Sequence, residues 1–359
     1  MKAWIQAMGS DQNGMRDLTY DEAVEAANQM AKGDSTEAQC AAFLMAICMK
    51  GEADDELMAF IDVYRRNSLM YQAQPNSLNS TGPTEGRKRL PVALPVSLLL
   101  ASVGFTQVMH GGDALPSRQG IAMKEILEGF GVELQLSAKA WHTLAVHLHI
   151  GFLPTEQLCP PIGRLKQVRE QLGIRTVIDT LERVLNPVLS TNLIIGVGQR
   201  KAMESLIPIS MRSGFQQVYM ISGIDGSEDV PLYENSLIRI VTPWGDESLV
   251  VEPQKFGFRS TPLPILNKDE QIEMVKRIIA GEDGAEVKRE RDHVVFNTGL
   301  RLKWFEKVDS YEEGFQLADA LLRRKEAQKV MHRWGEQSQN LKLQERSDRD
   351  EDDNSAKIG

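Results

Sequence analysis

Two loops hold the residues whose types and spacing could do chemistry. The first is Val108-Met109-His110-Gly111-Gly112-Asp113, followed by Ser117, Arg118 and Gly120. Paired glycines after an apolar stretch let the backbone approach a ligand closely, and loop amides at a following helix start can hold an anion. The same residues also suit an ordinary strand-to-helix turn. The second is Gly223-Ile224-Asp225-Gly226-Ser227-Glu228-Asp229. Glu228 and Asp229 on a loop at a strand end could hold magnesium, which prefers oxygen ligands and keeps waters that a phosphate can replace. Exposed acids in a turn are the alternative. His142, His147 and His149 lack a Cys or carboxylate at ligand spacing and read as neutral imidazoles in a partly buried segment. Gly196-Val197-Gly198 lacks the third glycine of a dinucleotide fingerprint. Arg164, Lys166, Arg169 and Arg175 could meet phosphates or form one solvated helix face.

These loops need a scaffold, and 359 residues, 42% hydrophobic with net charge -9, suffice for one large domain or two unequal ones. Cys40, Cys48 and Cys159, with no C-x-x-C, offer no zinc knuckle and suit a reducing compartment. No export signal is read at the N-terminus. The uncharged run Leu90 to Met109 is interrupted by Pro91, Pro95 and Gly104 and reads as a buried helix leading into a strand, so the expectation is a soluble, cytoplasmic protein without membrane contact.

Residues 15–75 predict a small helical domain, with helices from about 161–190 packing on it. Thr19 with Glu22 and Thr36 with Gln39 have capping-box spacing. The helix from Thr36 to Lys50 is apolar on two faces, which predicts cover from its own domain on one side and a second subunit on the other, with Phe43 in that contact. Residues 76–160 and 191–338 alternate short apolar strands (Leu193 to Val197, Gln217 to Ser222, Leu237 to Val241) with helical stretches such as Lys201 to Ser213, the rhythm of an α/β domain with a central, mostly parallel sheet. Such sheets place ligands at strand ends beside glycine loops. Tyr311 to Trp334 reads as a final helix with a capping box at Ser310 and Glu313, and residues 339–359 as a disordered acidic tail.

Several segments carry a family resemblance. AQCAAFLMAICMKGE at Ala38 to Glu52, LGIRT at Leu172 to Thr176, Asn186-Pro187, AGEDG at Ala280 to Gly284 and Asn297 are similar in order and spacing to segments of the anthranilate phosphoribosyltransferase family, glycosyltransferase family 3. The resemblance implies a helical domain joined to a large α/β domain and a homodimer formed through the helical one. It also implies displacement of pyrophosphate from an activated ribose. Phosphate and ribose would fall to Thr81, Gly82, His110, Gly111, Gly112, Ser117 and Gly120, the acceptor to His110 and Arg169, and Mg2+ to Glu228 and Asp229, the family's Asp-Glu pair in reversed order.

The motifs also depart from the family. Its GTGGD loop is Ser80-Thr81-Gly82-Pro83-Thr84-Glu85 here, where proline removes an amide donor. Its NIST falls on Pro91-Val92-Ala93-Leu94, and its KHGNR on Met109 to Asp113, keeping only the histidine and first glycine. The chain is similar to a branch with VMHGGD and a GLEGS-x-D-x-P type loop, some of whose members bind nucleic acid. The expectation is a phosphoribosyltransferase-like protein with an acceptor other than anthranilate, binding a phosphorylated ribose or nucleotide. The alternative is a nucleic-acid-binding dimer using Arg87, Lys88 and Arg89 with Arg323, Arg324 and Lys325, against which the acidic total weighs.

Overall fold

The computed structural model describes residues 1–9, 15–83, 86–113, 115, 120–198 and 200–358. The chain opens with helices α1 (Lys2–Gly9), α2 (Tyr20–Lys32), α3 (Glu37–Lys50) and α4 (Asp54–Arg66). Both expected capping boxes form. The Glu22 amide donates to Thr19 Oγ1 at 3.3 Å and the Thr19 amide to Glu22 Oε2 at 3.0 Å, and Thr36 and Gln39 exchange the equivalent bonds at 3.2 and 3.0 Å. Gly33, at φ 82°, ends α2 in the left-handed conformation that lacks strain only for glycine.

α3 corrects the expectation for Phe43. Its ring lies inside the helical domain, 5.8 Å from that of Phe60, which stacks in turn on Tyr64. Cys40, Phe43, Leu44 and Ile47 are buried by their own chain, because α3 is covered not only by its domain's helices but by Lys166–Leu172 and Val177–Glu182 from the second half of the chain. Ala41, Met45 and Cys48 are half-buried and Met49 is exposed.

The large domain is built on strands β1 (Leu78–Thr81), β2 (Gln107–Gly111), β3 (Ile150–Pro154), β4 (Asn192–Gly196), β5 (Gln217–Ile221), β6 (Ser236–Thr242) and β7 (Gly245–Val251). Their order is β3-β2-β1-β4-β5-β6-β7, parallel through β5 and antiparallel for the last two pairs. Alternate residues feed two cores. Val108, Leu193, Ile195, Val218 and Met220 face the helical domain, while Met109, Ile194, Tyr219 and Ile221 face helices including Ala93–Ser102 and Lys288–Trp304. A sheet covered on both faces needs apolar side chains on both, which is why its strands read as apolar runs.

The C-terminal segment differs from expectation. Helix Tyr311–Arg323 and helix Glu326–Ile358 are separate, with Lys325 between them at φ 59°. Ser310 caps the first by accepting from the Glu313 amide at 3.1 Å, but the Glu313 carboxylate takes the Asp309 amide, so the reciprocal box does not close. Beyond residue 338 the chain is helical rather than disordered. Polar side chains hold it: the Glu133 amide donates to the buried Ser338 hydroxyl at 2.9 Å, Gln339 donates to the Gly131 carbonyl at 2.7 Å, and Glu345 accepts from the Ser137 amide at 2.9 Å. Apolar content, the basis of the disorder expectation, carries no trace of bonds formed over 200 residues of separation. Among the described residues, no helix is long and apolar enough to cross a membrane.

Candidate functional site

The carboxyl ends of β1 and β2 open onto a cavity of about 60 Å³, room for several waters. Thr81 and Gly82 reach it from β1, and His110, Gly111 and Gly112 from β2. The Thr81 hydroxyl and both ring nitrogens of His110 are buried beside it with no hydrogen-bond partner among the described residues. Buried polar atoms are nearly always satisfied, so three orphans beside one opening are unusual, and a bound solute that reached them could supply the missing partners. Burial holds the His110 imidazolium down to about 4, and the ring is therefore neutral at pH 7, with one nitrogen donating and the other accepting.

Asp179, Glu182 and Arg183 of the Val177–Glu182 helix and its C-cap form the opposite wall. Arg169, expected to meet an acceptor, sits behind them, 3% exposed, donating to Asp179 Oδ1 at 3.0 Å and Glu182 Oε1 at 2.7 Å. It orients the acidic wall instead. Arg183 donates to the Gly196 carbonyl, its Nε has no partner among the described residues, and burial pushes its pKa down to about 10. Asp179, Glu182 and Arg183 were not anticipated. Their signal was the i, i+3, i+4 spacing that puts all three on one helix face, 10 to 14 residues after Arg169.

Glu228 and Asp229 are not exposed loop acids. Each is 1% exposed. Arg87 Nη2 donates to Glu228 Oε1 at 2.7 Å and Nη1 to Asp229 Oδ2 at 2.8 Å, and the Ser80 hydroxyl adds a bond to Glu228 Oε1 at 2.9 Å. From helix Lys288–Trp304, Arg301 Nη2 reaches the Glu228 carbonyl at 3.1 Å and Asp229 Oδ1 at 3.4 Å, while Asn297 pairs with both backbone groups of Val230. Gly223 lets the loop fold back onto itself, since a Cβ there would lie 2.1 Å from the Ser227 carbonyl oxygen. The cations hold Glu228 below the usual carboxylate range; burial beside Glu228 raises Asp229 to about 6, so both are ionised at pH 7.

Arg87 is therefore an internal residue. Its amide and carbonyl pair with Ile121 at 2.9 Å each way. Gly120 makes that approach feasible: a Cβ would fall 2.4 Å from the Arg87 nitrogen. Lys88 is half-buried, and Arg89 donates to Asp225 at 3.0 Å and to the Leu263 carbonyl. Arg323 pairs with Asp319 and Asp283, whereas Arg324 and Lys325 are exposed. Arg87 points inward, so the first triplet does not act as one basic patch. Arg164 and Lys166 bond to the Ala31 carbonyl and to Asp113, so they and Arg169 are not one solvated face. His142 and His149 contact Gln74 and Thr106. Ser117 lies outside the described residues.

Residues 78–328 match the glycosyl transferase family a/b domain, and residues 7–68 match that family's helical bundle domain. The chain belongs to this glycosyl transferase family. Within it, the chain is 28% identical over 330 residues to the anthranilate phosphoribosyltransferase of Herpetosiphon aurantiacus, covering 90% of this chain and 95% of that one. It is 26% identical to that of Persephonella marina, with 90% and 96% covered. The anthranilate phosphoribosyltransferase of Thermus thermophilus shares the fold at TM-score 0.77 and 23% identity, covering 94% of this chain and 100% of that one. So does the Saccharomyces cerevisiae enzyme, solved in complex with phosphoribosyl pyrophosphate (PRPP) and Mg, at TM-score 0.77 and 15% identity, with 94% and 98% covered.

Magnesium is thus bound in solved proteins of this fold, and the donor set here can be tested against it. Magnesium takes six oxygens at near-octahedral angles. Of the four carboxylate oxygens of Glu228 and Asp229, three accept from guanidinium groups and only Glu228 Oε2 has no partner among the described residues. The pair as folded does not fit the ion.

Proposed function

We propose that this glycosyl transferase family member is a phosphoribosyltransferase-like protein that takes the phosphate end of a phosphorylated ribose at the cavity by the ends of β1 and β2, with an acceptor other than anthranilate. The observation that carries the reading is the set of orphaned donors and acceptors there, Thr81 Oγ1 and both nitrogens of His110, beside the Gly111-Gly112 backbone and the half-satisfied Arg183. Hydroxyl, neutral imidazole and cation suit a sugar phosphate. The PRPP complex of the yeast enzyme of the same fold supports it.

Two features argue against anthranilate. Pro83 has no amide to donate and Ala93 and Leu94 no hydroxyl; a missing transition-state donor costs on the order of 3 kcal/mol, about a hundredfold in rate. Arg169, already engaged by Asp179 and Glu182, is not placed to meet an acceptor carboxylate. Arg87, turned inward on two carboxylates, is not available to a nucleic-acid reading. The same reading includes a homodimer through the part-exposed face of α3, where Met49 is 74% exposed, and sedimentation at micromolar concentration checks it.

Titration calorimetry with PRPP and with ribose 5-phosphate, on wild type and Thr81→Val, tests the pocket. Binding weakened at least tenfold in the variant is expected. Absence of heat with either ligand, or equal affinity in the variant, would overturn the assignment.

A further inference from the structure

We propose that Arg87 is the resident cation of the Glu228–Asp229 pair, that it bridges this pair to the cavity as a metal would, and that divalent cations consequently reach the cavity only in complex with a diphosphate. The last clause rests on the phosphoribosyl reading above; the first two do not.

Geometry carries the proposal. The guanidinium spends one N–H of each Nη on a different carboxylate, at 2.7 and 2.8 Å, leaving Nε buried without a partner among the described residues, beside Gly82, which lines the cavity with Arg87 and Thr81. A planar group with five donors can hold two acids on one side and present a donor on the other. It lies directly under the β1 loop: a Cβ on Gly82 would stand 3.4 Å from Arg87 Nη2 and 3.8 Å from Nε. The backbone fixes this position, through the paired bonds with Ile121 and the donation of Gln271 Nε2 to the Arg87 carbonyl at 2.8 Å.

Charge points the same way. Two guanidiniums, Arg87 and Arg301, balance two carboxylates, all four side chains at most 5% exposed. A buried set with no net charge has nothing to offer a dication that must shed its waters, and Arg87, being part of the chain, cannot be diluted away.

Mn2+, read by water-proton relaxation on ligand-free protein, is the probe. Wild type and Glu228→Gln/Asp229→Asn are expected to show the same relaxation, whereas Arg87→Gln gains a site at least tenfold tighter that is lost again when both acids are also replaced. Wild-type Mn2+ binding that disappears in the acid variant overturns the proposal, as does folded Arg87→Gln without a gained site. If Arg87→Gln fails to fold, the comparison of wild type with the acid variant decides alone. A second arm measures inorganic pyrophosphate in the presence of chelator. It should bind wild type and weaken at least tenfold in Arg87→Lys, which keeps the charge but loses the fork; equal affinity refutes the bridging role. If pyrophosphate does not bind wild type at all, the phosphoribosyl reading and the bridging role fail while the Mn2+ result still judges the resident cation.

Discussion

Replacing His110 by Gln should flatten the acid side of the stability profile. In the folded protein burial holds the imidazolium to about 4 against a usual 6.5. A folded value below the unfolded one means that the unfolded chain takes up a proton which the native state refuses. The contribution is fully present above pH 6.5 and is lost as pH falls toward 4, by about 3 kcal/mol in all at 1.36 kcal/mol per unit. At pH 5 the ratio (1 + 10^1.5)/(1 + 10^-1) is roughly 30, which corresponds to about 2 kcal/mol, while at pH 7.5 the effect is about 0.1 kcal/mol. Glutamine cannot titrate, and whatever it costs in packing is common to both pH values. Urea unfolding of wild type and variant at pH 7.5 and pH 5 therefore isolates the histidine. Wild type should lose about 2 kcal/mol more than His110→Gln between the two conditions. Equal losses would show that His110 is hydrated or charged in the native state, and the reading of its nitrogens as neutral ligand-facing groups would fall with it.

Phe43→Ala should destabilise by about 3–5 kcal/mol in denaturant titrations, and Phe43→Glu should yield little folded chain rather than a clean monomer, because the ring is stacked on Phe60 inside one protomer. Arg169→Met leaves Asp179 and Glu182 without their buried counter-charge and should cost about 3–5 kcal/mol by chemical unfolding; adding Asp179→Asn and Glu182→Gln should recover more than half. Truncation after residue 348 should leave the urea midpoint within about 0.5 kcal/mol of wild type. Truncation after residue 337 removes the Ser338, Gln339 and Glu345 contacts to residues 131–137 and should cost about 1–3 kcal/mol.

What could be read from the residues was local. Thr19 with Glu22 announced a helix start because the bonds span three residues. Strands at 192–196 and 217–221 showed as apolar runs because both faces are covered. Thr81 and His110, grouped beforehand only by the family resemblance, end neighbouring parallel strands and line one cavity, a proximity that no local pattern announced. The burial of Glu228 and Asp229 was not legible, since the group that makes it tolerable, Arg87, is 141 residues away from Glu228. A run of Arg-Lys-Arg reads as a solvated basic patch, and nothing within that run distinguishes the one arginine that turns inward. Arg169 failed for the same reason: its type is right for an anion, but which anions it meets is decided by how the 166–172 and 177–182 helices pack.

The far edge of the sheet has a consequence for how this chain behaves when crowded. β7 pairs with β6 on one side only, residues 245–248 are exposed, and Trp244 at the hairpin tip is 89% exposed. Such a border invites the strand of another molecule to add on. Asp246 and Glu247 stand on it, one on each face, and a second copy pairing antiparallel in register would have to bring like charges together along the new ladder. Arg239 holds Asp246 in place at 2.7 Å. Acidic residues on an open sheet border are a known way of discouraging such pairing, so replacing Asp246 and Glu247 by neutral residues is expected to raise the tendency of this chain to associate.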